Sequence, residues 1–528
     1  MKSQLGSEGT KRHATALDRV FGCPCTSNTW LRLGWIILGL YAVLQCVLQL
    51  AVFTNHLATP EITRGPMFEA VSRLRQGLPL YPPPSSEFVP LAYAPFFAVL
   101  SAAFSLLFGL SAATLRLVAV LGAIGSGAVI FQIVRRETAS VFYGLLATGL
   151  FGAAYRAFDC YTDYAQPDSW MLFTALLGFY ILGTRQEIKW TALAITLLCV
   201  SFWFKQQGAL FAIAGVLFVT WRDGLSKSIP FWILAALLGP IAFILLGPPL
   251  FGAAFIYYTY QVPSAWSTLD RWTFTRIIRY FGRHWAFLAI ICGLSLLKAV
   301  RHRRRPTVYW FSLPFSLLIG FLGSLDESQN NVYMSSGVWL IVIGTIELAG
   351  FLRSISTTST HQAAALALAA LSFALNYYNP LSVYVPQAAW HEFADLIQTV
   401  HSMPGAVYMP DVGQLPSGIR LPIPVHWVPL EDLVRGPGRD RRKHPLVREI
   451  LSPLIQPKGN AYILMDSPLQ DQPVIAFLAS DYILVADHGD RFRLLRALPG
   501  RSSGNTWPRY LYAYKGNQPM PQPASVLR

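Results

Sequence analysis

Two aspartates stand between two long apolar runs, in the stretch "CYTDYAQPDSWMLF" (160–173). A carboxylate at such a junction must meet water, a partner or a substrate, because an unpaired charge is unstable in an apolar medium. Asp168 opens an apolar run with the pattern of a helix, and Asp is a preferred N-cap residue. One role for Asp168 is therefore an N-cap. The other role is contact with a substrate, which we favour, while we expect Asp163 to face water.

A further acid and a lone cation lie at comparable junctions. Glu61 follows the first apolar run, in "TPEITRG" (59–65). An acid there either acts on a substrate or stabilises the positive end of the next helix. Lys205, in "WFKQQG" (203–208), separates two apolar runs and has no acid near it in the sequence. A lysine at this place either extends to the membrane interface or holds a phosphate group as a point charge.

Two more stretches carry side chains suited to binding a sugar. The loop "GSLDESQNNVY" (323–333) supplies acids and amides, including Glu327 and Asn331. Such loops are commonly turns, but hydrogen bonds to a sugar also need Asn, Gln and Asp. The segment "FIYYTYQ" (255–261) contains Tyr258. We expect its tyrosines to belong to an interfacial aromatic belt, to line a lipid groove or to stack on a sugar.

The composition indicates what positions these residues. Of the 528 residues 53% are hydrophobic, and they cluster between residues 33 and 378 into runs of about 17–25 residues, the length that spans a bilayer core. The sequence therefore predicts a polytopic α-helical membrane protein of the plasma or inner membrane. The formal net charge of +15 then reflects Lys and Arg in cytoplasmic loops, and no nucleic-acid partner is expected.

The distribution of basic residues predicts how the chain crosses the membrane. Residues 1–32 form a basic leader, expected in the cytoplasm. If the segment 90–109 enters and returns, or lies along the interface, every later basic cluster also falls inside, which gives about eleven spans. The first outer loop is then residues 54–112, and the C-terminal part lies outside. The alternative is twelve spans with both ends inside. The candidate apolar segments are 33–53, 90–109, 113–134, 140–157, 168–183, 190–204, 208–221, 230–247, 284–298, 308–323, 332–349 and 362–378.

Residues 379–528 predict a small soluble α/β domain. Four short apolar stretches, at 406–411, 461–466, 481–488 and 509–515, have the pattern of buried strands, and helical patterns near 387–401, 445–455 and 468–479 alternate with them. None of the six cysteines lies in this part, which excludes a disulfide-stapled ectodomain. It has no glycine-rich phosphate loop, so nucleotide binding has no support.

The order of these features resembles the GT-C-fold glycosyltransferases, in particular the family of protein O-mannosyltransferases and the bacterial lipid A aminoarabinose transferase. The resemblance covers roughly residues 33–380, which we expect to form a GT-C-like catalytic domain. One departure concerns the first outer loop, where Glu61 stands in place of the more usual Asp and isoleucine follows it. The stretches that carry the resemblance are "PEITR" (60–64), "YAPFF" (93–97), "YAQPDSW" (164–170), "KQQG" (205–208) and "NNVY" (330–333).

The resemblance implies an activity and a set of roles. It implies transfer of a sugar from a polyprenyl-phosphate donor to an extracytoplasmic acceptor hydroxyl of a glycan, lipid or protein, with inversion of the anomeric centre. Glu61 would be the general base and Asp168 its partner in orienting the substrate. Lys205 and Arg64 would stabilise the phosphate.

Further expectations concern the remaining binding residues, a metal and an alternative function. Tyr258, Glu327 and Asn331 would contact the substrate, and membrane lipids would surround the protein. No cofactor is assigned, although the outer acids offer oxygen ligands for a divalent metal. The alternative function is a polytopic transporter or flippase of a lipid-linked or small polar substrate, which favours charges at mid-membrane depth.

Overall fold

A computed structural model describes residues 28–60, 65–266, 271–303, 305–325, 329–354, 359–413, 421–436, 444–496 and 507–517. Most of these residues are helical. The main helices before residue 380 are, in chain order, α1 (Thr29–Leu57), α2 (Gly65–Arg75), α3 (Phe96–Phe108), α4 (Ala112–Thr138), α5 (Val141–Ala153), α6 (Asp168–Thr184), α7 (Ile188–Phe204), α8 (Ala209–Asp223), α9 (Leu225–Phe251), α10 (Arg271–His284), α11 (Ala286–Arg301), α12 (Val308–Ser324), α13 (Met334–Ser354) and α14 (Ser359–Leu375).

Four helical stretches within the described residues are long and apolar enough to cross a membrane, by length and composition. They are α1, α4, α9 and α13, the last together with the turn before it (Asn330–Arg353). A fifth follows if α10 and α11, which meet at a bend of 93°, are one span. The structure is thus rich in apolar helices, as the sequence predicts.

Local sequence explains where several helices begin and bend. The Asn28 side chain accepts hydrogen bonds from the first backbone N–H groups of α1, and Ser111 does the same for α4. These contacts satisfy donors that have no partner inside the helix. In α9, Gly239 leaves helical geometry directly before Pro240. A proline has no N–H to donate and displaces the preceding turn, so α9 is bent there.

Two helices lie in the described part of residues 54–112, the predicted first outer loop. The first is α2, and its Met67, Phe68 and Val71 are buried. They belong to one apolar cluster with Tyr408 and Ile423 of the C-terminal part. C-terminal side chains thus belong to the cluster that buries the apolar face of α2. Helix α3 has 13 residues, about 20 Å of helix, which is shorter than a bilayer core of about 30 Å.

All strands among the described residues lie after residue 400. The sheet has the order β1-β2-β4-β3, with β1 and β2 parallel and the other pairs antiparallel. The strands coincide with the four predicted stretches. The third predicted helix, 468–479, is wrong: two short 3₁₀ turns, Leu469–Asp471 and Ala476–Ser480, flank Pro473, which cannot donate to a helix. The elements are α15 (Ala389–Ser402), β1 (Ala406–Tyr408), α16 (Trp427–Val434), α17 (Pro445–Ile450), α18 (Ser452–Ile455), β2 (Ala461–Met465), β3 (Tyr482–Asp487) and β4 (Tyr510–Tyr514).

Specific hydrogen bonds join this C-terminal part to the helices. Asn55, near the end of α1, donates to the carbonyl of Val385 at 2.8 Å and accepts from its N–H at 2.9 Å. The Trp266 ring N–H donates to the carbonyl of Asp432 at 2.9 Å. The sheet therefore lies at the end of the helical bundle where α1 ends.

Candidate functional site

The central feature is a buried carboxylate that contacts a lysine and an asparagine. Lys205 Nζ donates to Asp168 Oδ1 at 2.7 Å, and Asn331 Nδ2 donates to the same oxygen at 3.0 Å. The three side chains belong to residues that are only 1–6% exposed. Three residues from distant stretches of the sequence thus converge on one oxygen atom.

Each of the three residues lies at the end of a helix. Asp168 is the first residue of α6 and follows Pro167, Lys205 directly follows α7, and Asn331 lies in the turn before α13. The alternative N-cap role of Asp168 is excluded, since Pro167 holds the cap position and no side chain bonds there. The alternative that Lys205 extends to the interface is also excluded, because the buried carboxylate holds its ammonium group.

A glycine makes the turn at Lys205 possible. A Cβ on Gly208 would collide with the backbone of Ser201, one turn earlier in α7. The Ser201 hydroxyl also donates to the Gly208 carbonyl at 3.3 Å. The chain can therefore fold back sharply after Lys205, which keeps the lysine at the C-terminal end of α7.

The cluster keeps hydrogen-bonding capacity. Asp168 Oδ2 is buried and accepts no hydrogen bond from any described residue. Lys205 has three N–H donors, and its ammonium lies 5.6 Å from the centre of the Tyr93 ring. A carboxylate oxygen and a cation are thus available side by side, in surroundings where charge interactions are stronger than in water.

Two stretches that the sequence analysis singled out lie next to the turn that carries Lys205. Gln206 Nε2 donates to the carbonyl of Ala92 at 2.9 Å and to that of Thr259 at 3.1 Å. The loop before α3 and the tyrosine-rich segment are thereby tied to the lysine turn. The expectation that Tyr258 belongs to an interfacial aromatic belt is wrong, because its ring is fully buried and packs against Tyr81 and Tyr257. Its contact with a substrate stays a prediction.

The aspartate expected in water is buried instead. Asp163 is 2% exposed, and its Oδ2 lies 2.6 Å from Nδ1 of His56. The Tyr155 hydroxyl donates to Asp163 Oδ1 at 2.8 Å, and His56 Nε2 lies 2.7 Å from the carbonyl of Val383. The prediction for Asp163 is wrong because the histidine at the end of α1 and a nearby tyrosine satisfy its oxygens. This network fastens α1 to the start of the C-terminal part.

A third aspartate, which sequence reasoning missed, positions the asparagine turn. Asp159 Oδ2 accepts the backbone N–H of Asn330 at 2.8 Å. Asp159 and Cys160 both have positive φ, 50° and 64°, a conformation that is uncommon outside glycine. No pattern in the sequence signals it. The loop before α6 thus holds the turn that carries Asn331.

Three predicted site residues, Glu61, Arg64 and Glu327, lie outside the described residues, so their geometry is not defined. Among the residues that the structure does describe, no three His, Cys, Asp or Glu side chains form a group that could hold a metal ion. No ligand set for a divalent metal can be named from them.

Comparison with known proteins gives a likeness in fold. No protein-family model matches the sequence, and no curated protein matches it either. The chain is similar to the crystal structure of ArnT from Cupriavidus metallidurans bound to undecaprenyl phosphate, with a TM-score of 0.52 and 14% identity, over 92% of this chain and 99% of that one. The apo state of the same protein gives a TM-score of 0.50 and 14% identity, over 91% and 98%. The chain therefore has the GT-C-like fold that the order of its sequence features resembles.

Proposed function

We propose that this protein is an integral membrane glycosyltransferase that moves a sugar from a polyprenyl-phosphate donor to an acceptor hydroxyl outside the cytoplasm. The observation that carries the proposal is the buried contact of Asp168 with Lys205 and Asn331. A structure with the same fold binds undecaprenyl phosphate, a lipid phosphate that such a reaction releases.

The chemistry assigns a role to each group. A departing lipid phosphate gains negative charge in the transition state, and a fixed cation in a site of low polarity stabilises that charge. Lys205 supplies this cation and Arg64 assists it. Asp168 holds the lysine and uses its second oxygen to orient a substrate hydroxyl, while Asn331 and Glu327 bind the sugar.

The acceptor hydroxyl needs a base. Glu61 takes its proton, since a carboxylate in the first outer loop stands on the side from which the acceptor arrives. A single displacement at the anomeric carbon then inverts its configuration. The acceptor is a glycan, lipid or protein carrying a free hydroxyl.

The proposed topology is a cytoplasmic leader (1–32), a transmembrane domain (33–378) of eleven spans and an extracytoplasmic domain (379–528). The eleven spans are α1, α4 to α9 and α11 to α14, and α3 is left as a segment that enters and returns. The position of the sheet at the end of the bundle where α1 ends, joined through Asn55 and Val385, supports an outer location.

The position of the charged pair favours an enzyme over the alternative function, a transporter. Asp168 begins α6 and Lys205 follows α7, so the charged pair stands at helix ends. Coupling sites of transporters lie near the middle of the bilayer, commonly on broken helices. The charged pair is therefore better suited to chemistry at one face of the membrane.

The decisive experiment for the function uses purified protein in sealed liposomes with a panel of polyprenyl-phosphate sugars and simple acceptors. We expect release of free polyprenyl phosphate with at least one donor, and loss of that release in Glu61→Gln. Movement of intact donor across the bilayer without release would replace the enzyme by the transporter. Normal release by Glu61→Gln would remove Glu61 from the base role and leave the donor class standing.

A further inference from the structure

A groove between helices lies far from the candidate site. It encloses about 810 Å³ between α11, α12, α13 and α14, and apolar side chains such as Leu294, Phe351 and Leu368 line it. Leu294 is 62% exposed and Phe351 39% exposed. We call it the α11–α14 groove. Its volume falls in the range of about 300–1,000 Å³ that is usual for ligand pockets.

The mouth of the α11–α14 groove is basic. Lys298, Arg303 and Arg305 line it and are exposed. No carboxylate in the part of the chain that the structure describes forms an ion pair with any of the three. The one acid in the lining, Glu347, accepts a hydrogen bond from the Trp310 ring N–H at 2.9 Å. The three cations are therefore free to attract an anion at the mouth.

The groove lies at the end of the bundle opposite the candidate site. Helix α12 begins at Val308, beside the basic mouth, and ends at Ser324, which bonds to Tyr333 of the Asn331 turn. Its 17 residues span about 25 Å. The basic residues predict that this end is cytoplasmic, where the leaflet carries the anionic lipids.

We propose that the α11–α14 groove binds one anionic phospholipid of the cytoplasmic leaflet. An acyl chain lies along the apolar wall, and the phosphate contacts the basic mouth, where Arg303 and Arg305 donate to its oxygens. An apolar cleft that ends in unpaired cations matches a lipid with a negatively charged head group. A zwitterionic lipid fills the cleft equally well but gains less from the cations.

The test compares lipid retention by the full chain. The protein is reconstituted in nanodiscs with phosphatidylglycerol or phosphatidylcholine, extracted into detergent and examined by native mass spectrometry for bound lipid. The double variant Arg303→Gln/Arg305→Gln should bind phosphatidylglycerol about 30-fold more weakly, since each basic side chain near an anionic head group contributes about five-fold in affinity. Leu294→Trp places a larger side chain in the apolar part of the groove and keeps the basic residues. This variant should also lose the lipid, because the acyl chain has less room.

A matched control removes two charges at the same end of the bundle. Arg185 and Lys189 are exposed and do not line the groove, so Arg185→Gln/Lys189→Gln should retain the lipid. The proposal would be overturned if both double variants lost phosphatidylglycerol equally while Leu294→Trp retained it. That result would show that the lipid responds only to the general surface charge. Equal retention of the two phospholipids by the parent, or retention of neither, would overturn it as well. Thermal unfolding of each variant separates lipid loss from misfolding, and sugar transfer does not enter the readout.

Discussion

The candidate site depends on one buried ion pair. The side chains of Lys205 and Asp168 are 7% and 2% exposed and lie 2.7 Å apart. Burying two charges is unfavourable, and their mutual attraction only partly offsets it. A pair of this kind is weak evidence for stability, so its presence favours a role in substrate binding or chemistry.

This argument predicts how single and double substitutions at the pair differ. Lys205→Met leaves Asp168 buried without its cation and should destabilise the protein by about 3–5 kcal/mol. Adding Asp168→Leu removes the orphaned charge and should restore most of that stability without restoring turnover. Unfolding in detergent and donor turnover, measured on the single and double variants, give both quantities. A double variant less stable than Lys205→Met would contradict the argument.

The elements around the site can be tested through Gly208. Its close approach to the Ser201 backbone fixes the turn after α7. Gly208→Ala forces the two segments apart and should lower stability by about 1–3 kcal/mol and displace Lys205, so that turnover falls more than substrate binding. Gly293→Ala is the matched control, since a Cβ at Gly293 in α11 meets no atom within 4 Å. An equal effect of both substitutions on turnover would show that the turn does not position the lysine.

The sequence predicts elements better than contacts. The apolar runs locate the helices, and four short stretches locate the strands, because periodicity and length are local properties. Asp168 and Lys205 can be singled out as charges at the ends of apolar runs. Their contact cannot be predicted, since the two residues are 37 positions apart.

The errors have the same origin. Asp163 is assigned to water because its partner His56 is 107 positions away. Tyr258 is assigned to a surface because the sequence does not show Tyr81 packing on its ring. A local pattern tells whether a side chain suits burial, and only the fold supplies its neighbours.

At the scale of the whole molecule, the C-terminal part contains a carboxylate pair at the ends of β1 and β2. Asp411 Oδ2 accepts the backbone N–H of Asp466 at 3.0 Å. Burial, and then the charge of Asp466, raise the pKa of Asp411 well above its usual value, and burial raises the pKa of Asp466. The fold thus brings together two acids that are 55 positions apart in the sequence.

The pair predicts a pH dependence of stability. An acid whose pKa is raised by folding contributes stability that is fully present below its unfolded pKa, about 3.9, and is lost as the pH rises through the folded value. Asp411→Asn keeps an acceptor for the Asp466 N–H but has no carboxylate to ionise. The melting temperature of this variant should therefore rise relative to that of the parent as the pH rises from about 4 to 8. A difference in melting temperature that does not change with pH would contradict the assignment. Asp487→Asn serves as the control, because the pKa of Asp487 is lowered to about 2 by its hydrogen bonds from Arg509.

The proposal as a whole joins a GT-C-like fold to one charged cluster. The fold is shared with a structure that binds undecaprenyl phosphate, and the cluster provides a cation and a carboxylate at helix ends. Neither observation alone names a reaction. Together they support the proposal that the buried carboxylate takes part in release of the lipid phosphate.

The most direct measurement is the rate of polyprenyl-phosphate release by the parent, by Asp168→Asn and by the control Asp487→Asn, on the donor that the parent uses. The proposal predicts that Asp168→Asn loses at least about 100-fold in rate, the usual effect of removing one electrostatic group from a site, while its melting profile stays cooperative. The control should match the parent. A rate for Asp168→Asn equal to that of the parent would contradict the central claim that this cluster is the active site.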